Sequence, residues 1–157
     1  MHIRSFILCL IISLCSIAAQ DRPEVVAIRT ELTIKVDGLL DEPVWATIKP
    51  ITEFVQRLPL DGGEPTEKSE MRILYDDNHL YFGFTFFDSE PEKVRATILN
   101  RGGWIHRDDK LEIALDTYLD RRNAYLFEMN PLGTQDDALI SDESLPSLDE
   151  WAWDGVY

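Results

Sequence analysis

The feature that most restricts the fold is an alternation of apolar and polar side chains with a period of two residues. In the segment Ser69–Tyr75, for example, Met71, Ile73 and Tyr75 occupy every second position. A period of two places successive side chains on opposite faces of an extended chain, so this segment predicts a half-buried strand. The sequence contains no long amphipathic helical pattern, and we therefore predict an all-β protein.

Two β-hairpins are predicted from the turn residues between such segments. The polar run 76–79 separates the first strand from an aromatic-rich strand at residues 80–88. Two further strands, 109–116 and 124–130, flank the polar turn 119–123. Many short strands joined by turns are typical of an antiparallel β-sandwich.

The remaining elements are shorter and have weaker patterns. Residues 33–36 and 53–56 predict two further strands, and residues 57–68 have the composition of a loop. Between the hairpins, Ser89 is positioned to cap a helical turn that begins at Pro91. We thus expect one or two helical turns among the strands.

The N-terminus has the pattern of a secretory signal peptide. Arg4 precedes an apolar run at residues 6–17, and small residues lead to a cleavage site after Ala19. The apolar run is shorter than the roughly 20 residues that span a bilayer. Both cysteines lie inside residues 1–19, so the mature domain, residues 20–157, is expected to fold without disulfides.

The mature chain is strongly acidic. The 157-residue sequence has 15 basic and 29 acidic residues, and removal of Arg4 with the signal leaves 14 basic residues and a net charge of about −15. Such a charge repels phosphate backbones and anionic lipid headgroups, so we expect no nucleic-acid binding. Neutral saccharides and divalent cations are compatible partners, although acidic residues also serve solubility alone. A structural calcium ion fits the composition, but no Asp-x-Asp-x-Asp-Gly spacing assigns its ligands.

Catalytic signatures are absent from the mature sequence. It contains no GxSxG or HExxH motif, no phosphate-binding glycine loop and no cysteine nucleophile. Adjacent acids such as Asp108 and Asp109 point to opposite faces of a strand, so they do not predict the facing carboxylates of a glycosidase. We expect a protein without enzymatic activity and assign no catalytic residue.

A candidate ligand site begins at Trp104, which lies in a polar, glycine-rich loop. An indole stacks well on the apolar face of a sugar ring, whereas a lid over the end of a sandwich is the simpler structural interpretation. In the second hairpin, alternation places Glu112 on one face of its strand, and Glu128 and Asn130 on one face of the next. These side chains predict either a polar strip near Trp104 or a solvated outer face.

Residues 35–45, KVDGLLDEPVW, resemble the start of the family 9 carbohydrate-binding modules, in which a strand runs into a DGxLDExxW turn. Later segments resemble other parts of that family in order: its central hairpin at 70–91, its DxxEIxxD strand at 107–116, its FxxNPxG strand and turn at 125–137, and its WDxxW segment at 151–157. The resemblance covers nearly all of residues 25–157. It implies a jelly-roll β-sandwich that binds saccharides without cleaving them.

The opening motif also has a physical interpretation. We expect Gly38 to allow a sharp turn after the first strand and Leu39 to return to the core. Asp41 is positioned to cap a helical turn that begins at Pro43, and Trp45 is expected to be buried at one end of the sandwich.

The family resemblance implies roles for the candidate site. Its founding members hold a sugar between two tryptophans, with a Glu, an Arg and an Asn bonding the hydroxyls. Trp104 approximately matches the first tryptophan, Glu112 matches the Glu, and Asn130 matches the Asn. Glu128 stands where those members have the Arg, and the second tryptophan would lie beyond Tyr157. This pattern resembles the branch in which the domain precedes a β-barrel in secreted or outer-membrane proteins of Gram-negative bacteria.

The sequence thus predicts a secreted, non-catalytic carbohydrate-binding β-sandwich that serves polysaccharide recognition or breakdown by a larger periplasmic, outer-membrane or extracellular protein. Its last strands are expected to be missing, because the strand-like run from Trp151 stops at Tyr157. The predicted ligand-binding residues are Trp104, Glu112, Glu128 and Asn130. One alternative is a structural, plug-like domain ahead of an outer-membrane β-barrel, and a second is a glycoside-hydrolase-associated enzyme whose catalytic domain would be the partner.

Overall fold

The computed structural model describes residues 24–142, 151, 153–155 and 157. The described residues form short strands, loops and very little helix, which confirms the all-β prediction. The chain divides into two compact units, Met1–Phe87 and Asp88–Tyr157, called here the first and second units. The predicted signal peptide, residues 1–19, lies outside the described residues and stays a prediction.

The first unit contains a three-stranded sheet and a short helix. Strand β1 (Ile28–Arg29) pairs in parallel with β2 (Ser69–Tyr75), and β2 pairs in antiparallel with β3 (Leu80–Phe86). Helix α1 (Pro43–Thr47) precedes β2 in the chain. Residue Ser69 lies opposite Phe86, so the two strands are aligned over their whole length. The predicted first hairpin is confirmed.

The core of the first unit is built around Trp45, whose side chain is 4% exposed and packs with Ile48 and Leu74. The predicted burial of Trp45 is confirmed. The half-buried strand predicted at Ser69–Tyr75 is confirmed, since most side chains of β2 have intermediate burial, Leu74 is fully buried and Tyr75 is exposed. In β3, a Cβ atom at Gly83 would lie 2.9 Å from the Trp45 ring, so this close approach requires a glycine.

Two details of the opening motif differ from the prediction. Gly38 does adopt a positive φ of 82°, but Leu39 is 59% exposed and Leu40 packs against the core instead. The first residue after the turn that contacts the core is therefore Leu40, one residue later than expected. Glu42, and not Asp41, is the N-cap residue of α1, and its carboxylate accepts hydrogen bonds from the Lys35 amide (2.8 Å) and the Trp45 indole (2.9 Å).

The two weaker strand predictions are wrong. Residues 33–36 and 53–56 form no strand, and β2 instead pairs with β1 and forms an isolated bridge between Ile51 and Met71. Neither β1 nor this bridge was evident from periodicity, because a strand of two residues shows no alternation.

The second unit contains an antiparallel sheet in the order β4 (Leu111–Leu115), β5 (Ala124–Met129) and β6 (Gln135–Ile140). The predicted second hairpin is confirmed by β4 and β5. Strand β6 was not predicted. A 3-10 turn at Pro91–Lys93 confirms the helical turn after the first hairpin, but its N-cap residue is Glu90 and not Ser89.

The C-terminal residues that are described pack on β5. The Trp153 ring lies 5.1 Å from the ring of Tyr125, and the Tyr157 ring lies 4.8 Å from that of Phe127. Residues 153–155 and 157 belong to no strand, so the strand predicted to begin in this run is wrong for the residues described. The contact with the second sheet combines this aromatic packing with hydrogen bonds from the Tyr157 hydroxyl to the carbonyls of Glu128 (3.0 Å) and Asp136 (2.7 Å).

Candidate functional site

Trp104 is the most exposed tryptophan of those described. Its side chain is 63% exposed, and its indole lies 5.2 Å from the imidazole of His106. The backbone of Trp104 has a φ of 62°, in the left-handed region, and a 3-10 turn begins directly after it at Ile105–Arg107. Ile105 is fully buried. The backbone reversal at Trp104 thus directs one large side chain outward while its neighbour anchors the loop.

A buried carboxylate fixes the loop that carries Trp104. Asp108 accepts hydrogen bonds from the amides of Thr97 and Ile98, each at 2.8 Å, and from the Thr97 hydroxyl at 2.8 Å. A fourth hydrogen bond comes from the side-chain amide of Asn130 at 3.0 Å. Because Thr97 and Ile98 precede Trp104 and Asp108 follows it, these bonds close the loop at its base.

The same bonds set the charge of Asp108. Burial alone would raise the pKa of this carboxyl, but hydrogen bonds from Ile98, Thr97 and Asn130 outweigh it and lower the pKa to about 2. A carboxyl with a depressed folded pKa contributes its full stability above its unfolded pKa and loses it as pH falls from there through the folded pKa. The stabilising contribution of Asp108 is therefore expected to be complete above the ordinary carboxyl range and to be lost as pH falls toward about 2.

Asn130 has a structural position. Its amide nitrogen donates to the carbonyl of Ile98 (2.8 Å) and to Asp108, and its oxygen accepts from the amides of Leu132 (3.0 Å) and Thr134 (2.9 Å). An asparagine side chain has two donor hydrogens and two acceptor lone pairs, so every one of them has a protein partner here. The predicted saccharide contact by Asn130 would require one of these buried bonds to break.

Glu112 and Glu128 are brought together by the strand register. They lie directly opposite each other on β4 and β5, and Asp136 lies opposite Glu128 on β6. Lys110 forms ion pairs with both glutamates, at 3.0 Å to Glu112. The shared face of these residues was predicted correctly. Glu128 is buried, so the alternative of a solvated outer face is wrong at this position.

Burial is the largest influence on the pKa of two of these carboxyls. It raises the pKa of Glu128 although the Lys110 ammonium opposes the shift, and Glu112 raises the pKa further. Burial likewise raises the pKa of Asp136. Lys110 keeps its proton more tightly than usual: burial lowers its pKa, but its bonds to Glu128 and Glu112 outweigh burial and raise it. Lys110 is therefore the cation that offsets the negative charge of the two glutamates.

We expect Lys110→Met to lower the free energy of unfolding of the second unit by about 2 kcal/mol at pH 8, because it leaves Glu128 charged and unpaired. A carboxyl with a raised folded pKa loses stability as pH rises from its unfolded pKa through the folded one. The loss in the variant should therefore shrink as pH falls to 5 and Glu128 binds a proton. Urea unfolding at both pH values measures the difference.

Lys93→Met is the matched control, because Lys93 forms an exposed ion pair with Glu90. Exposed pairs contribute little, so this change should cost less than about 0.5 kcal/mol at either pH. Equal losses in the two variants, or a Lys110→Met loss that grows at pH 5, would contradict the assigned role of Lys110.

Arg101 was missed by the sequence analysis. Its guanidinium pairs with Asp137 at 2.6 Å and with Asp154 at 2.8 Å, and lies over the Tyr157 ring at 5.5 Å. It also donates to the carbonyl of Gly155. These partners are distant in sequence, and only an arginine within a glycine-containing loop marks the position. Arg101 holds the C-terminal residues against the second sheet.

Among the described residues, no group of three or more His, Cys, Asp or Glu side chains is arranged to hold a metal ion. The calcium site that the composition allows therefore gains no candidate ligands there. None of the helices in the described part has the length and hydrophobicity needed to cross a bilayer.

Comparison with family models, curated proteins and solved structures finds no match to the chain. The resemblance to the family 9 modules therefore rests on the sequence motifs alone.

Proposed function

We propose that the protein binds carbohydrate without cleaving it, and that Trp104 is the stacking platform. The observation that supports this most directly is a largely exposed indole on a loop whose base is closed by the buried bonds of Asp108 and Asn130. An indole offers a flat apolar face to the C–H groups of a sugar ring.

The fixed loop supports the proposal energetically. Ordering a loop upon binding lowers affinity, and a platform held in place beforehand avoids that loss. Here Ile105 is buried directly beside Trp104, and the loop base is tied to β5 through Asn130. The loop that carries the indole is thus held in place while most of the indole surface stays available.

The polar part of the proposed site is Glu112. Its side chain is about half exposed, whereas that of Glu128 is almost completely buried. We assign hydroxyl recognition to Glu112, which is an acceptor of hydrogen bonds when ionised. Lys110 and Glu128 position Glu112, and Asn130 positions the loop of Trp104. Of the four predicted residues, two would touch the saccharide and two would support them.

The wider context is part of the same proposal. We propose a β-sandwich of jelly-roll type, exported from the cytoplasm, that serves a larger protein in polysaccharide recognition or breakdown. The two three-stranded sheets and the low helix content support this fold class. The acidic composition supports a neutral saccharide as ligand, because it disfavours anionic partners.

The test is affinity electrophoresis of the purified protein in gels that contain xylan, β-glucan, mannan or starch. We expect retardation by at least one neutral polysaccharide, and Trp104→Ala should weaken binding at least tenfold, which corresponds to about 1.4 kcal/mol of lost stacking. Tyr118→Ala is the matched control, because Tyr118 is an equally exposed aromatic residue of the second unit. It should bind like the original protein.

The structural, plug-like alternative is favoured by one observation, the exposed aromatic pair Phe86 and Phe87 at the end of β3. Exposed apolar side chains of this size are typical of protein contacts. This alternative predicts that no polysaccharide retards the protein. It also predicts that the Trp104→Ala variant migrates through each gel like the original protein. A circular dichroism spectrum like that of the original protein must accompany each result.

A further inference from the structure

A cavity lies within the first unit, whereas Trp104 belongs to the second. It has a volume of about 620 Å³ and is bounded by residues 29–34 and 36 on one side and by the hairpin turn after β2 on the other. Volumes of 300–1,000 Å³ are usual for small-molecule sites. We propose that this cavity is a separate binding site for a neutral saccharide ring. The ligand class rests on the proposed function, but the site does not require Trp104.

One wall of the cavity consists of two rings that are held in place by Asp76. The Asp76 carboxylate accepts hydrogen bonds from the amides of Asn78 (2.7 Å) and His79 (2.8 Å) and from the Tyr81 hydroxyl (2.7 Å). It also lies 3.2 Å from Nδ1 of the His79 imidazole. The centroids of the His79 and Tyr81 rings are 5.6 Å apart. Both rings are therefore oriented before any ligand arrives.

The opposite wall carries both apolar and polar side chains. Leu32, Ile34 and Val36 supply hydrocarbon, and Glu31 and the neighbouring threonines supply oxygen atoms. Ile34 also packs against the core of the first unit. A ligand between the walls therefore meets apolar groups together with oxygen acceptors on this side, and aromatic rings with oxygen acceptors on the other. A sugar ring fits this mixture, because its C–H faces are apolar and its hydroxyl groups lie at the edge.

The charge of the lining disfavours anionic ligands. Among the described lining residues, Glu31, Asp76 and Asp77 contribute three carboxylates, and Arg29 is paired with Asp77 at 2.6 Å. The hydrogen bond from Tyr81, followed by those from Asn78 and His79, lowers the pKa of Asp76, so this carboxylate stays charged at neutral pH. Carboxylates accept hydrogen bonds from hydroxyl groups and repel uronate or phosphate.

The test is a nitrogen-15 NMR titration in which the backbone amides of Asn78, His79 and Tyr81 report on the cavity. The probes are xylotriose, cellotriose, mannotriose and maltotriose, with digalacturonate as the anionic comparison. At least one neutral probe should shift these amides, and it should do so equally in the Trp104→Ala variant. Digalacturonate should bind at least tenfold more weakly.

Two variants test the cavity directly. His79→Ala removes one ring, and Thr33→Trp fills the space from the other wall, where Thr33 is an exposed lining residue. Each substitution should weaken saccharide binding at the cavity, measured from the shifts of these amide signals, at least tenfold. Thr66→Trp is the matched control, since Thr66 is exposed in a loop and does not line the cavity. It should leave the response unchanged.

The outcomes separate this inference from the proposed function. If the backbone amide signals of the cavity do not shift while the Trp104 indole signal does, the second site is overturned and the proposed function stands. If the cavity responds and the Trp104 indole does not, the Trp104 platform fails and the cavity site stands. Loss of the cavity response in Trp104→Ala, or tighter binding of digalacturonate, would also overturn the second site.

Discussion

Trp45→Ala is expected to lower the free energy of unfolding of the first unit by about 4 kcal/mol, within the range for buried Trp or Phe replaced by Ala. The indole is 4% exposed and packs with Leu74 and Ile48, so its removal leaves a cavity in the small core. The substitution also removes the hydrogen bond from the indole to Glu42. Urea unfolding followed by circular dichroism measures the loss.

Trp104→Ala is the matched control for this prediction, because it makes the same chemical change at a side chain that is 63% exposed. It should cost less than about 1 kcal/mol, since a largely exposed side chain gains little from folding. Similar losses in the two variants would contradict the assignment of Trp45 to the core and of Trp104 to the surface.

Asn130→Ala is expected to cost the second unit about 3 kcal/mol. The change leaves the partly buried amide of Leu132 and the buried amide of Thr134 without their acceptor and removes a donor to Asp108. Buried groups without partners cost about 1–3 kcal/mol each, and partial relaxation with water reduces the sum. Because the bonds to Ile98 and Asp108 also fix the Trp104 loop, the variant should bind saccharide more weakly even where it is folded.

The combination of effects distinguishes two roles for Asn130. A residue that binds the sugar directly would lose affinity on substitution and keep stability. A residue that supports the loop loses both, which is the expected result here. Asn78→Ala is the control, because Asn78 is exposed in a turn and should change stability by less than about 0.5 kcal/mol. An Asn130→Ala variant as stable as this control would contradict the structural role.

The hairpins were predictable from sequence because their determinants are local. Alternation within β2 and β4, the apolar run of β5 and the polar turn residues together indicate both the strands and their pairing. Strand β1 was not predictable, because it has two residues and pairs with a strand far along the chain. Strand β6 was not predictable either, because the buried acids Asp136 and Asp137 interrupt its hydrophobic pattern.

The candidate site was predictable in part for the same reason. The common face of Glu112 and Glu128 follows from a period of two within one hairpin. The burial of Glu128 and the bonding of Asn130 depend on Lys110, Ile98 and Asp108, which act through tertiary contacts. Residue types alone do not show whether a polar side chain binds a ligand or closes a loop.

The central claim is that Trp104 is a saccharide-binding platform, and the indole N–H signals of the protein test it most directly. Titration with the neutral trisaccharides, with each signal assigned through a Trp→Phe variant, reports on every tryptophan at once. We predict that the Trp104 indole signal shifts with saccharide concentration while the buried Trp45 signal stays in place. An unmoved Trp104 signal at saturating amounts of every probe would contradict the claim.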